Sequence, residues 1–484
     1  MKLKELLRGV EVLETTASED LDIAGVAYDS RKVTAGGLFV AVSGFQTDGN
    51  RFIPMALEKG AAAVVTTKKP EGDVPYVLVS SDRLALALIG ANYYGHPAEK
   101  MTMIGVTGTN GKTSVTLLLK QVLEKTLGAK VGLIGTVENC IGDEILPTER
   151  TTPESFELQG LFRQMLDAGC THVVMEVSSH SIALDRVGGI HFQAAAFTNL
   201  TEDHLDFHHT MEAYCDTKAE LFARCDQAVL NRDDPWFDRM KAKAACPILT
   251  TSWHPGAELY AEDVSLRADG VSFTAVLGEE RAKVSLPIPG SFAVSNGLTV
   301  LGLAAVLGIP LAKAASALSE AKGVKGRLEV VSTPGKPYTV LIDYAHTPDG
   351  LENVLSSVKG YCKGRLIAVF GCGGDRDPLK RPIMGAIGAK YADVCIVTSD
   401  NPRTEDPEAI IRQILAGMPE NSYIAIENRP KAIGYALDIA KKNDIIVLAG
   451  KGHETYQEIN GVKRHMDERE IVADHLAERL KSNG

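Results

Sequence analysis

No stretch of this 484-residue sequence approaches the roughly 18 to 20 consecutive apolar residues needed to span a bilayer, which excludes a helical membrane protein. No CxxC pair occurs among the eight cysteines, and a chain of this length needs no covalent staples, so the thiols are expected to be reduced and mostly buried. Long Lys/Arg blocks are missing. With 51 basic against 62 acidic residues the net charge of -11 repels nucleic acid and anionic membrane, and anionic ligands must be met by local basic groups. Neither a short internal repeat nor a low-complexity tract is present. The first residues, MKLKELLRGVEVLE, alternate charge with leucine and lack an apolar h-region, so they read as an amphipathic helix rather than a signal peptide. A soluble cytoplasmic protein is expected, with no nucleic acid partner and no membrane insertion.

What is present is the composition of a folded globular chain, 45% hydrophobic and 23% charged, too long for one hydrophobic core. Residues 1–98 mix short β-rich runs (GLFVAV, AAAVVTT, YVLVS) with helical stretches and close on Tyr94-Gly95-His96-Pro97. From Met101 the pattern becomes apolar strand, Gly-rich turn and long helix, then HVVMEV, AAAFTNL and AVLN alternate with helical segments. This implies βαβ units in a mostly parallel sheet over 99–328. After Gly326 the alternation restarts with TVLIDYA, RLIAVFG, DVCIVTS and DIIVLAG. The expected fold class is α/β in three domains: a smaller N-terminal domain (1–98), a central P-loop-type domain (99–328) and a C-terminal Rossmann-like domain (329–484).

Gly108-Thr109-Asn110-Gly111-Lys112-Thr113 follows a strand and opens a helix, the context in which backbone N–H groups face a phosphate at a helix N-terminus. In a nucleotide site Lys112 pairs with the β/γ phosphates and Thr113 reaches magnesium. The general P-loop pattern has one more glycine, where this chain has Val106. Met175-Glu176-Val177-Ser178-Ser179-His180 ends an apolar strand, where open α/β sheets bind ligands. Asn199-Leu200-Thr201-Glu202-Asp203-His204-Leu205-Asp206 concentrates carboxylates beside a histidine. Magnesium prefers oxygen ligands, which makes Glu176 and an Asp natural candidates and His204 a less usual one. The structural alternatives are a core pairing of Glu176 with His180 and a solvated acidic turn.

These three segments together resemble the Mur ligase family, whose central domain carries a GTNGKT loop, an EVSSH strand end and a DHLD-type segment. The resemblance runs from Asp29-Ser30-Arg31 to Gly450-Lys451-Gly452-His453-Glu454. It implies ATP and magnesium as cofactors, with Gly108 through Ser114, Asn296, Arg327 and Asp343 at the nucleotide and Thr113, Glu176, His204 and Lys218 at the metals. Lys218 matches the family's carbamylated lysine, an anion where an ammonium could not face a second magnesium. Lys112, Glu176, His204 and Lys218 are the implied catalytic set. Ser30, Phe45, Gln46 and Thr47 match positions holding a uridine nucleotide. Thr151, Thr152, Ser178 and Arg186 match positions holding a muramoyl peptide and its phosphates.

Within the family, Asp400-Asn401-Pro402-Arg403 implies a member that adds meso-diaminopimelate to a UDP-linked muramoyl dipeptide, since lysine-adding members differ there. Diaminopimelate carries a second carboxylate, and a guanidinium is a rigid bidentate fork for it. The resemblance places Arg376, Gly450 and Glu454 in the same amino-acid site. Ala293 departs from the family, which commonly has Asn there. The implied reaction runs through an acyl phosphate, needs a base for the attacking amine (His204, His346 and Glu176 all stay open) and expects the C-terminal domain to close over the central one before chemistry. A nucleotide-regulated binding protein that kept the loop and lost the chemistry is the alternative from another class.

Overall fold

The computed structural model describes residues 1–44, 47–148 and 150–482. Phe45 and Gln46, expected at the uridine nucleotide, lie outside the described residues. The chain has two compact units, Met1–Thr251 with Gly302–Ile309, and Ser252–Leu301 with Pro310–Gly484.

The first unit contains two sheets. Strands β1 (Val12–Thr15), β2 (Val26–Ala27), β3 (Leu38–Val40), β4 (Ala63–Thr66) and β5 (Tyr76–Val79) form a five-stranded sheet in the order β1-β5-β4-β3-β2. It is parallel except for β1, which runs antiparallel along β5. The amphipathic helix expected at the N-terminus is only Leu3–Leu6, and Val12–Thr15 is a strand. Leu3 and Leu6 are buried, but Gly9 turns the chain at φ +77°, and the backbone groups of Val12–Thr15 pair with β5 instead of continuing a helix. The helix Asp82–Tyr94 ends on Gly95 in the left-handed conformation, as the Gly/Pro punctuation predicts.

The central sheet uses β6 (Thr102–Thr107), β7 (Val131–Ile134), β8 (Asn139–Ile141), β9 (Glu144–Leu146), β10 (His172–Glu176), β11 (Ala194–Phe197), β12 (Ala228–Asn231) and β13 (Ile248–Ser252), in the order β13-β12-β11-β6-β10-β7-β8-β9. Strands β6, β7 and β10 to β13 pair in parallel, as the apolar runs predict. Strands β8 and β9 add an antiparallel extension that the sequence reading did not include. Helix Lys112–Leu127 starts where β6 ends, so the Gly-rich loop sits at the carboxyl edge of the sheet beside the ends of β10 and β11.

In the second unit, β14 (Leu259–Arg267), β15 (Gly270–Leu277) and β16 (Glu280–Leu286) make an antiparallel meander, also absent from the sequence reading. A six-stranded sheet then follows from β17 (Glu329–Val331), β18 (Thr339–Asp343), β19 (Leu366–Phe370), β20 (Val394–Val397), β21 (Tyr423–Ala425) and β22 (Ile445–Ala449), ordered β17-β18-β22-β19-β20-β21. Only β17 is antiparallel. Successive side chains alternate between two cores: Leu366, Ala368 and Phe370 enter one with Val447, while Ile367 and Val369 enter the other with Ile446 and Leu448. Burial on both faces explains why these strands read as continuous apolar runs. A hairpin of β23 (Tyr456–Ile459) and β24 (Val462–His465) completes the unit. Among the described residues no helix is long and apolar enough to cross a membrane.

Candidate active site

The phosphate loop is held open by its own side-chain supports. Gly108 has φ +146°, and a Cβ there would lie 1.9 Å from the Thr198 hydroxyl, so only glycine fits. Asn199 accepts from the Asn110 N–H at 3.0 Å, and its carbonyl accepts from Thr109 N–H at 2.8 Å. Gly111, at φ +86°, turns the chain into the helix, whose first turn contains Lys112, Thr113 and Ser114. Lys112 lays its ammonium on the carbonyls of Gly108 (2.9 Å) and Thr109 (2.8 Å). Its charge therefore stands in the loop where a phosphate group would be neutralised.

Glu176 is buried at the end of β10, and among the described contacts it pairs with Thr113 and Thr136 and not with His180. Its Oε1 accepts from the Thr113 hydroxyl at 2.9 Å and from Thr136 N–H at 2.8 Å, and Oε2 from the Thr136 hydroxyl at 3.0 Å. Gly135 makes room, since a Cβ there would stand 2.7 Å from Oε1. One carboxylate and one hydroxyl aimed at the loop suit magnesium, which binds through one or two carboxylates plus phosphate oxygens and water. His204 sits at φ +54° with its ring half exposed, packed edge-on to His180 at 4.8 Å between centroids. Asp203 and Glu202 are exposed.

Lys218 is 1% exposed and donates to the Gly108 carbonyl at 2.9 Å, with the Tyr214 ring 4.6 Å from its nitrogen. Burial, followed by the nearby Lys112 cation, pushes its pKa well below the usual lysine value. Sequence alone reads an exposed helix lysine here; the structure places it against the phosphate loop.

Thr151 and Thr152 lie beside Glu176. The Thr151 and Thr136 hydroxyls are 3.0 Å apart, and the Thr152 hydroxyl donates to the Glu176 carbonyl at 2.8 Å. Arg186 donates to the Thr152 carbonyl at 3.2 Å and pairs with Glu154 at 2.7 Å, while its buried Nε has no partner among the described residues. Ser178 is committed to capping, accepting from Ser181 N–H at 3.1 Å. In the N-terminal sheet region Ser30 is buried in a short turn, its hydroxyl on the Met55 sulfur at 3.4 Å, and the Thr47 carbonyl accepts from Gly44 N–H at 3.0 Å.

In the second unit, Asn296 is buried on helix Phe292–Val306. Asp343, at the end of β18, accepts from Leu328 N–H (2.7 Å) and Ala345 N–H (2.8 Å), and burial raises its pKa against the pull of Arg327. The Arg327 guanidinium lies 5.3 Å from the Tyr344 ring centroid.

The structure joins Arg376 and the Asp400–Arg403 segment through two interlocked loops. Gly374 N–H donates to Asn401 O at 2.9 Å, Arg403 Nη1 donates to Gly374 O at 2.8 Å, and the Thr404 hydroxyl donates to Asp375 at 2.7 Å. A Cβ on Gly374 would sit 1.9 Å from the Pro402 carbonyl. Arg403 itself is left-handed at φ +51°, its Nε 3.6 Å from Glu458. Beneath both loops the buried Arg381 forks onto Glu405 with two contacts of 2.8 Å. Asp400 is buried with Oδ2 unpartnered among the described residues, and Gly450, at φ +117°, has no room for a Cβ, which would lie 2.6 Å from that oxygen. Glu454 Oε2 accepts from Asn401 at 3.0 Å and from Lys451 at 2.5 Å. The Arg376 side chain remains at the surface, bonded only to its neighbour Asp375 O at 3.1 Å among described hydrogen bonds.

Sequence reasoning missed Thr136, Thr198, Asn199, Arg381, Glu405 and Lys451. The signal available for Lys451 was its place between two glycines.

A parallel α/β sheet with a glycine-rich loop, lysine and buried carboxylate at its carboxyl edge defines a nucleoside-triphosphate-binding protein. Three family models cover most of the chain: "Mur ligase family, catalytic domain" at 22–96, "Mur ligase middle domain" at 106–304 and "Mur ligase, glutamate ligase domain" at 326–452. The UDP-N-acetylmuramoyl-L-alanyl-D-glutamate–2,6-diaminopimelate ligase of Caldanaerobacter subterraneus subsp. tengcongensis is 49% identical, covering 99% of this chain and 100% of that one. The ligase of the same description from Clostridium tetani is 45% identical over 99% and 100%. A solved structure of a protein with that description is 32% identical, with TM-score 0.74 and 99% of each chain covered. The chain belongs to the Mur ligase family and has its three-domain architecture.

Proposed function

We propose that this chain is an ATP-dependent, ADP-forming ligase that joins meso-diaminopimelate to the D-glutamyl carboxylate of UDP-N-acetylmuramoyl-L-alanyl-D-glutamate, a step of peptidoglycan precursor synthesis. The observation that carries the reading is full-length identity of 43–49% to ligases of that description. The Asp400–Arg403 loop, locked against the Arg376 loop, supplies the matching chemistry. We divide the chain into domains at 1–98, 99–328 and 329–484, and place its action in the cytoplasm, a compartment that suits eight free thiols among the described residues.

Bound magnesium supplies neutralisation of phosphate charge, with Thr113 and Glu176 as the residues that hold it and His204 and a carbamate on Lys218 available to a second ion. The loop N–H groups of Gly108 through Ser114 cradle the ATP phosphates, and Lys112 offsets charge as the D-glutamyl carboxylate attacks the γ-phosphorus in line. The bond from phosphorus to the bridging oxygen breaks, giving ADP and an acyl phosphate. The diaminopimelate amine then attacks the acyl carbon, and the tetrahedral intermediate expels inorganic phosphate as the amide forms. The amine must first lose its proton. His204, His346 and Glu176 stay open as its base; at His346, Nδ1 lies 2.8 Å from Tyr344 O, a carbonyl that can only accept, so the neutral ring carries its proton on Nδ1 and keeps the Nε2 lone pair.

Lys218 suits carbamylation because carbon dioxide adds only to a neutral amine, and its burial favours that form. Arg403 and Glu454 offer opposite charges for an acceptor whose distal end is zwitterionic, with Arg376, Asp400, Asn401 and Gly450 around them. Uridine nucleotide binding falls to Ser30, Phe45, Gln46 and Thr47, and the peptide to Thr151, Thr152, Ser178 and Arg186.

The test is phosphate release with ATP, the UDP-linked dipeptide and magnesium, with and without meso-diaminopimelate. A ligase releases phosphate only when both organic substrates are present. Binding of nucleotide with no release under any combination would identify a binding protein instead.

A further inference from the structure

Between Gly450 and Gly452 the chain folds so tightly that the intervening lysine is driven inward. Gly450 is at φ +117° and Gly452 at φ +52°, and a Cβ on Gly452 would meet Tyr344 Cβ at 2.5 Å. Lys451 is consequently 0% exposed, an arrangement a lysine tolerates only when its charge is paired and its donors are used. Two of its three N–H bonds are used in hydrogen bonds, and an aromatic ring flanks the charge. One goes to Asn401 Oδ1 at 2.8 Å and one to Glu454 Oε2 at 2.5 Å, and the Tyr456 ring centroid lies 5.1 Å from the nitrogen. The network closes on itself, since Asn401 Nδ2 also donates to Glu454 Oε2 at 3.0 Å and Asn401 Oδ1 also accepts from Glu458 N–H at 2.9 Å.

The two side chains that Lys451 grips both belong to the proposed amino-acid site. We infer that Lys451 is a positioning residue of that site: it commits Oε2 of Glu454 to the buried network, which fixes the carboxylate so that Oε1, unengaged by any hydrogen bond among the described residues, is presented to the acceptor's ammonium group. Lys451 does not touch substrate in this account. It sets the rotamer of the group that does, by a charge-assisted hydrogen bond to a carboxylate whose side chain is only 14% exposed.

The inference rests on the reading of the site as one for meso-diaminopimelate, so wild type is assayed first; no diaminopimelate-dependent turnover there would overturn that reading rather than this one. With wild type active, steady-state constants are compared for Lys451→Met, Glu454→Gln and the double variant. Lys451→Met is expected to raise KM for meso-diaminopimelate at least about tenfold, the effect of 1.4 kcal/mol, with KM for ATP and the UDP-linked dipeptide unchanged within about twofold. In the Glu454→Gln background the same substitution is expected to add less than about twofold, because the carboxylate it positions is gone. The double variant has no uncompensated buried charge, so it remains informative where Lys451→Met alone fails to fold. An equal rise in both backgrounds, or equal losses for all three substrates, would show that Lys451 only supports the fold.

Discussion

Lys218 Nζ lies 2.9 Å from the carbonyl oxygen of Gly108, so a lysine from the helix Met211–Ala219 is buried against the first glycine of the phosphate loop. A bare ammonium there would oppose a second magnesium ion, whereas a carbamate would serve it. Lys218→Ala is expected to abolish turnover while the protein stays folded, and high bicarbonate or a short-chain carboxylic acid is expected to restore part of it by supplying the missing anion. Steady-state rates with and without the additive are the measurement. Lys218→Arg, which cannot be carbamylated, is expected to be inactive; an active arginine variant would contradict the carbamate.

Lys112→Ala is expected to lower kcat by roughly 10²- to 10³-fold, the scale for removing one group that stabilises transition-state charge. Its ammonium bonds carbonyls of its own loop, so the unfolding midpoint is expected to move little. Turnover compared with thermal unfolding of the same preparation checks both parts.

Glu405→Gln is expected to loosen the two amino-acid loops together. The carboxylate accepts the Arg381 fork and the Asp375 N–H, while Arg381 is itself buried. Breaking this half-exposed pair is expected to cost about 1–3 kcal/mol, below the full value for a buried pair. Arg381 holds the Glu405 pKa below its ordinary 4.5. The folded state therefore binds the proton less readily than the unfolded one, and the pair's contribution is fully present above pH 4.5 and lost as pH falls through the lower folded value. Unfolding midpoints from pH 7 to 3 are expected to fall less steeply in the Gln variant than in wild type.

Arg403→Ala is expected to weaken meso-diaminopimelate binding by about 2–5 kcal/mol, nearer the lower end because the side chain is partly exposed, with ATP and UDP-dipeptide constants almost unchanged. Lysine is expected to remain a poor acceptor, since deleting a cation builds no pocket for a singly carboxylated chain. An unchanged KM for meso-diaminopimelate would make Arg403 a turn residue, which its left-handed backbone also permits.

The parallel strands were legible because burial on two faces leaves them as unbroken apolar runs, Leu366–Phe370 being the plainest. The meander Leu259–Leu286 was not, although its burial alternates along Leu259–Arg267, because charged residues on the outward face dilute the apolar signal. Val12–Thr15 was misread because leucine and charge alternate there at spacings that suit a helix, and only pairing with β5 decides for a strand. Gly108, Lys112 and Thr113 could be read because the loop is contiguous in sequence. Thr136, Thr198 and Asn199 could not: Thr136 holds Glu176 from the end of β7, Thr198 and Asn199 hold Asn110 from the end of β11, and nothing local marks a threonine or asparagine as a partner for a distant loop or glutamate. Lys218 and Lys451 look like surface lysines until burial is known.

The central claim is that this chain attaches meso-diaminopimelate rather than another amino acid. The most direct measurement offers the wild-type protein ATP, magnesium, UDP-N-acetylmuramoyl-L-alanyl-D-glutamate and equal concentrations of meso-diaminopimelate and L-lysine, and identifies the nucleotide product by mass. The account predicts the diaminopimelate adduct, with lysine adduct at trace level or absent. A product carrying mainly lysine would contradict it.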